Sequence, residues 1–214
     1  MNRFQFNLAR LLLATLTAGC CATAAATPPI APNGTHVARW WQWALGTPNL
    51  IESLDQGGTR CRVGQSGDIW FLAGSFNSGQ VRRTCYIPQG KTLFFPLITM
   101  SYWPDEPGPA ETCARSIARA GFNNDTATGL HASIDGKPLP AAALRRIGTQ
   151  QCFTVVDRAT PSKAANVHDM AAADGYWVML PPLPKGRYTL RFGGRYNWPG
   201  DDFGVSVQDI GYEL

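Results

Sequence analysis

Hydrophobic positions in this chain of 214 residues follow a helical period first and then, from Gly67 onward, the period of strands. Val37, Trp40, Trp41, Ala44 and Leu45 recur at three- and four-residue spacing, which predicts an amphipathic helix over 35–45. Asn33 or Thr35 can cap its start, and Gly46 and Pro48 stop it. Its indoles (Trp40, Trp41 and Trp43) read as a helix face packed on a sheet, with a sugar-binding aromatic platform as the alternative. Three apolar runs follow, Asp68–Ala73, Val81–Ile87 and Lys91–Ile98, separated by Asn77-Ser78-Gly79 and Pro88-Gln89-Gly90. Such runs between turn signals predict consecutive antiparallel strands, with Pro96 requiring an edge position or a bulge. In the first run Trp70 and Leu72 share one face and Ile69 and Phe71 the other, so it reads as the central strand of a sandwich. Gln65 just before it needs hydrogen-bond partners if it is buried.

Further along, residues 101–111 form a loop and Glu111–Ala120 a second helix stopped by Gly121. Leu130–Ile134 alternates weakly before the Asp135-Gly136 turn signal, residues 140–146 suit one helical turn, and Cys152–Val156 suits a strand. Residues 157–174 are small and polar and read as an irregular excursion. Tyr176–Leu180 is a strand, and Arg187–Phe192 alternates strictly, with Tyr188, Leu190 and Phe192 inward. Phe203–Leu214 closes the pattern with Val205, Val207 and Ile210 inward. The expected fold is mostly β: an antiparallel β-sandwich, jelly-roll-like, with one N-terminal helix and one or two short helices. It occupies 35–214 as one domain, behind an extended Pro-rich lead-in at 27–34.

Residues 1–26 change the picture from a domain to an exported domain. Arg3 and Arg10 precede a short apolar stretch, Leu11–Ala18, and Ala24-Ala25-Ala26 offers a cleavage site, so 1–26 reads as a signal peptide. Thr17-Ala18-Gly19 before Cys20 also fits lipoprotein processing, which would acylate Cys20 and tether the domain to a membrane; Thr17 stands where Leu is usual, and plain cleavage is preferred. No later segment has the length of an uncharged membrane-spanning helix. Losing Arg3 and Arg10 lowers the net charge from +4 to +2, too mild a balance for nucleic acid. Cleavage leaves Cys61, Cys85, Cys113 and Cys152, an even set that reads as disulfides and allows three connectivities. The pairing that keeps both loops local, Cys61–Cys85 with Cys113–Cys152, is expected; without a C-x-x-C pair or clustered histidines, metal binding is not.

Two stretches carry a resemblance. One runs from Cys61 through Gly64-Gln65-Ser66-Gly67-Asp68-Ile69-Trp70-Phe71-Leu72-Ala73-Gly74 to Cys85-Tyr86-Ile87-Pro88-Gln89-Gly90-Lys91; the other is Asp174-Gly175-Tyr176 through Pro181-Pro182-Leu183-Pro184-Lys185-Gly186. Together they resemble a group of exported bacterial proteins of unknown function that share a C…GQxGxxWFLAG…CxxPxGK core and a DGY…PLxxG segment. The resemblance implies a bacterial, extracytoplasmic setting and supports pairing Cys61 with Cys85; it implies no activity.

Catalytic chemistry finds little to stand on. A serine nucleophile needs an oriented base, and no serine lies in a G-x-S-x-G elbow. His131 and Asp135 share a face if their segment is a strand, as a metal or acid–base pair would; His168-Asp169 reads as surface loop. Carboxylate pairs suited to glycoside hydrolysis are Glu52 with Asp55, Asp105 with Glu106, and Asp201 with Asp202, the last also a possible calcium ligand set. Each reads as solvated loop acids, and no cofactor or metal is implied. The leading expectation is a secreted or periplasmic, non-catalytic protein that binds a small-molecule or glycan ligand through Trp103, Tyr196 and Trp198 in aromatic-rich loops. A hydrolase of extracellular or envelope polymers and a structural surface protein are the alternatives.

Overall fold

The computed structural model describes residues 31–48, 57–75, 79–105, 108–158, 165–196 and 205–214. The expected signal segment therefore lies outside the described residues.

Helix α1 (Gly34–Gly46) starts at Asn33, whose side chain accepts from the Thr35 and His36 amides while His36 Nδ1 accepts from the Asn33 amide at 3.1 Å. Val37, Trp40, Trp41, Trp43, Ala44 and Leu45 are all buried. Each indole N–H reaches an acceptor as its ring packs: Trp40 on Leu72 O (2.9 Å), Trp43 on Val63 O (2.8 Å) and Trp41 on Thr99 Oγ1 (3.4 Å). The three tryptophans thus fasten the helix to a sheet and leave no ring face for a sugar.

Burial, with the Arg39 charge second, holds the His36 imidazole below its usual 6.5. The unfolded chain therefore takes up the proton first, so stability from the capping box is full above pH 6.5 and is lost as pH falls below it. Urea midpoints should decline on acidification toward pH of about 5, and His36→Gln should flatten that decline, because Gln at this position keeps the cap without titrating. An equal decline in His36→Gln would refute the assignment.

The strands form two mixed sheets. The first contains β1 (Ile69–Phe71), β3 (Thr92–Tyr102), β8 (Asn166–Leu180) and β6 (Arg145–Gly148) in the order β1-β3-β8-β6. Strand β7 (Phe153–Asp157) continues along the same side of β8 as β6, pairing its first half. The second sheet has the order β2-β10-β9-β4-β5, with β2 Gly79–Thr84, β4 Thr128–Ile134, β5 Lys137–Pro138, β9 Thr189–Tyr196 and β10 Ser206–Glu213. Asp135 and Gly136 turn β4 into β5 at φ 50° and 75°, as the Asp-Gly signal requires. Helix α1 covers one face of the first sheet, around Phe71, Phe94 and Trp177. The second sheet covers the other face, around Leu72, Phe95, Val178, Phe192 and Ile210. Helix α2 (Cys113–Gly121), capped by Thr112, lies on this second side: Arg119 sits over the Tyr102 ring and Asn123 beyond the helix reaches Met100. Both expected disulfides are present, Cys61–Cys85 and Cys113–Cys152.

Several expectations from the pattern are corrected. The three runs from 68 to 98 are not an antiparallel meander: β1 pairs parallel with β3, and β2 crosses to the other sheet, where it pairs parallel with β10. Turn signals show where a strand ends but not which sheet receives the next one. Strand β1 is an edge rather than the centre; both its faces are buried because helix and second sheet sandwich it. Gln65 closes that edge like a short extra strand, accepting from Phe71 N (3.0 Å) and donating to Phe71 O (2.8 Å) and Cys61 O (2.9 Å). Residues 166–174 are not an excursion but the first part of β8, and 145–148 form a strand where a helical turn was expected; that turn is confined to Ala141–Ala143. Ala171, Ala172 and Ala173 are fully or almost fully buried in that part of β8, small enough for helices and neighbouring strands to approach closely. In β10 the inward set is Gln208, Ile210 and Tyr212, while Val205 and Val207 point outward. Pro96 does sit at a bulge, between Pro96 and Ile98.

Candidate functional site

Two loops meet at one end of the sandwich. The first, 85–91, links β2 to β3; the second, 181–188, links β8 to β9. The first loop is anchored at its start by the Cys61–Cys85 bridge and by the Cys85 amide on Glu213 O at 2.8 Å, which prolongs the β2–β10 pairing. Gly90 turns it at φ 84°, a conformation that favours glycine. Lys91 follows, half-buried, with its ammonium donating to Gly67 O. The second loop is held by Tyr188, whose hydroxyl donates to Pro184 O (2.9 Å) and whose backbone exchanges hydrogen bonds with Leu214. Between them lies a cavity of about 310 Å³ with apolar walls from Ile87, Leu93, Leu183 and Tyr188 and with Lys91 and Lys185 among its lining. Tyr86, next to Ile87, is 77% exposed. The segments C-x-x-P-x-G-K and P-L-P-K-G, about 90 residues apart in the chain, supply both loops.

Two of the three expected aromatic residues, Trp103 and Tyr196, lie at the other end. Strands β3 and β9 both begin beside the cleft and run the same way, since Phe95 packs on Phe192 at 4.5 Å and Ile98 faces Gly194. Trp103 and Tyr196 therefore leave the two sheets at the far end. Trp103 is half-buried, stacked on His168 at 4.5 Å and packed on the helix-side core; Tyr196 is only 8% exposed. Trp198 lies outside the described residues. Tyr196 consequently has little ring face to offer a ligand: β10 pairs with it, and it turns inward like Leu190 and Phe192.

The remaining candidates are dispersed. His131 Nδ1 lies 3.0 Å from Gly129 O, and Asp135 accepts from the Thr189 amide at 2.8 Å, so each is tied to a different backbone group. His168 and Asp169 belong to β8, not to a loop, and Asp169 accepts from Thr154 Oγ1. Asp105 is exposed; Glu52, Asp55, Glu106, Asp201 and Asp202 lie outside the described residues. Among the described residues no group of three or more His, Cys, Asp or Glu could hold a metal, and no helix is long and apolar enough to cross a membrane.

Two polar groupings escaped the sequence reading. On the outer face of the second sheet, a wide depression of about 510 Å³ is lined by His131, Arg191, Arg195 and Asp209. Desolvation raises the Asp209 pKa, but hydrogen bonds from Gln80 and Arg82 and the charges of Arg82 and His131 outweigh it, leaving the carboxyl below its usual range. Beneath α2, Arg146 bridges Asp174 (3.0 Å) and Asp125 (2.6 Å) and donates to Gly121 O. Burial is the largest influence on Asp174 and, with the Asp125 charge, holds its pKa above the usual range despite Arg146. With Arg146 engaged on both carboxylates, this triad fastens α2 to β8 and β6. Nothing in the sequence signalled it, because its members come from three separate elements.

Comparison with family models, with curated proteins and with solved structures finds no match for this chain.

Proposed function

We propose that this is an exported bacterial protein, secreted or periplasmic, that binds a ligand without transforming it in the cleft between loops 85–91 and 181–188. The basic, apolar and A-x-A succession at the start of the chain supports export, as do two disulfides that suit an oxidising compartment. The observation that carries the binding reading is the convergence of two distant segments, each pairing a lysine with a glycine, on one apolar cavity. Its volume falls at the lower end of small-molecule sites, which are mostly apolar with few polar groups. These same segments carry the resemblance to exported proteins of unknown function, so the cleft belongs to what that group would share.

Fragment screening by amide NMR on the protein exported under its own leader tests the reading. Hits should shift amides of 87–93 and 183–190, and Leu183→Asp, which places a charge in the apolar wall, should weaken them by more than about tenfold. Hits confined to the Trp103 and Tyr196 end would move the site to the aromatic loops. Turnover of a polymer that depends on Asp105, Asp201 or Asp202 would replace binding by hydrolysis.

A further inference from the structure

Resting on the binding role just proposed, the geometry points to a ligand class: we infer that the cleft takes amphipathic anions, molecules with a short apolar body and a carboxylate or phosphate head. The walls come from Ile87, Leu93, Leu183 and the Tyr188 ring, and an alkyl or aryl body gains by leaving water against them. The two charged side chains in the lining have the same sign and stand on opposite loops, Lys91 on the first and Lys185 on the second. Among the described residues neither ammonium forms an ion pair with a carboxylate. Lys91 spends one donor on Gly67 O, which fixes its position and leaves two of the three N–H groups of an ammonium for a ligand.

An anion held between the loops would receive charge-assisted hydrogen bonds beside an apolar wall. A neutral molecule of the same body would offer the two ammonium groups no counter-charge, and a cation would be repelled by them. The volume of about 310 Å³ suits a single small head with a short chain.

The probes are octanoate, octyl phosphate and uncharged octanol, titrated against the exported protein by amide NMR, with vesicles containing phosphatidylglycerol as a membrane-borne source of the same chemistry. Octanoate and octyl phosphate should shift amides of 87–93 and 183–190 and bind about tenfold more tightly than octanol. Lys185→Gln, an exposed change that leaves the fold intact, and Lys91→Gln should each cost about two- to fivefold for the anions and nothing for octanol. Vesicle binding without a response to free octanoate would assign the head group to a lipid surface; the reverse would assign it to a free amphiphile. Octanol binding in the cleft as tightly as octanoate, or anion affinity unchanged by Lys185→Gln in protein with a native near-ultraviolet spectrum, overturns the anion assignment and leaves the binding role standing. Fragment hits that avoid the cleft altogether overturn both.

Discussion

Trp177→Ala is expected to destabilise the protein by about 3–5 kcal/mol, enough to remove a large share of the stability of a domain this size. Trp177 is fully buried in the second half of β8. Its ring stacks on Phe94 at 4.9 Å and 3° and meets Trp40 edge-on at 5.4 Å, and its N–H donates to Ile147 O at 3.2 Å. Truncation opens a cavity where β3, β6, β8 and α1 meet, so four elements lose a shared neighbour. It also leaves the Ile147 carbonyl without this donor. Chemical denaturation followed by tryptophan fluorescence gives the number. A loss below about 1 kcal/mol would mean that α1 does not pack on the first sheet as described.

Reduction of the two disulfides should have an effect of similar or larger size. Cys61–Cys85 closes 24 residues of sequence and Cys113–Cys152 closes 39. Restriction of the unfolded chain by loops of these lengths is worth about 3.5–4 kcal/mol each, so losing both approaches the whole stability of a small domain. Replacement of all four bridging cysteines by serine is expected to give a chain that fails to fold at 37 °C by circular dichroism. Replacement of one pair alone should give a folded protein with a lowered denaturation midpoint. The two losses differ in place as well as size. Cys61–Cys85 holds the first loop of the cleft, and its removal should weaken ligand binding in protein that remains folded. Cys113–Cys152 holds α2 against the segment before β7, far from the cleft, and should leave binding unchanged.

Much of the fold was legible locally. The helix over 35–45 carried its own cap and stop residues, and the disulfide pairing followed from keeping loops short. The alternation through Arg187–Phe192 set the register of β9, where Leu190 and Phe192 are buried and Arg191 is exposed. Legibility failed where a neighbour in space decided the outcome. Ala171-Ala172-Ala173 has poor strand propensity and no alternation, yet it is buried on both sides because β3 and β7 pair with it and helices cover it. The inward face of β10 was misread because Gln208 occupies a core position that polarity alone assigns to solvent. Its side chain is satisfied there by the backbone of Ser75, an interaction that only the assembled sheets supply.

The candidate site shows the same division. Its residue types were visible, but as two unrelated loop segments, and the aromatic end drew attention instead because tryptophan and tyrosine are conspicuous in a sequence. Exposure is not a property of residue type: Tyr196 is buried while Tyr86 is open.

By itself the sequence determined the cap of the first helix, the Asp135-Gly136 turn, and that the one-sided pattern of Arg187–Phe192 would bury its apolar row. These follow from capping, turn chemistry and short-range periodicity, which act within a few residues. Only the tertiary structure decided which sheet receives each strand, which way β1 and β2 pair, and that residues 87–91 and 183–188 share one cavity. Those outcomes depend on contacts between residues far apart in the chain, whose energies no local pattern records.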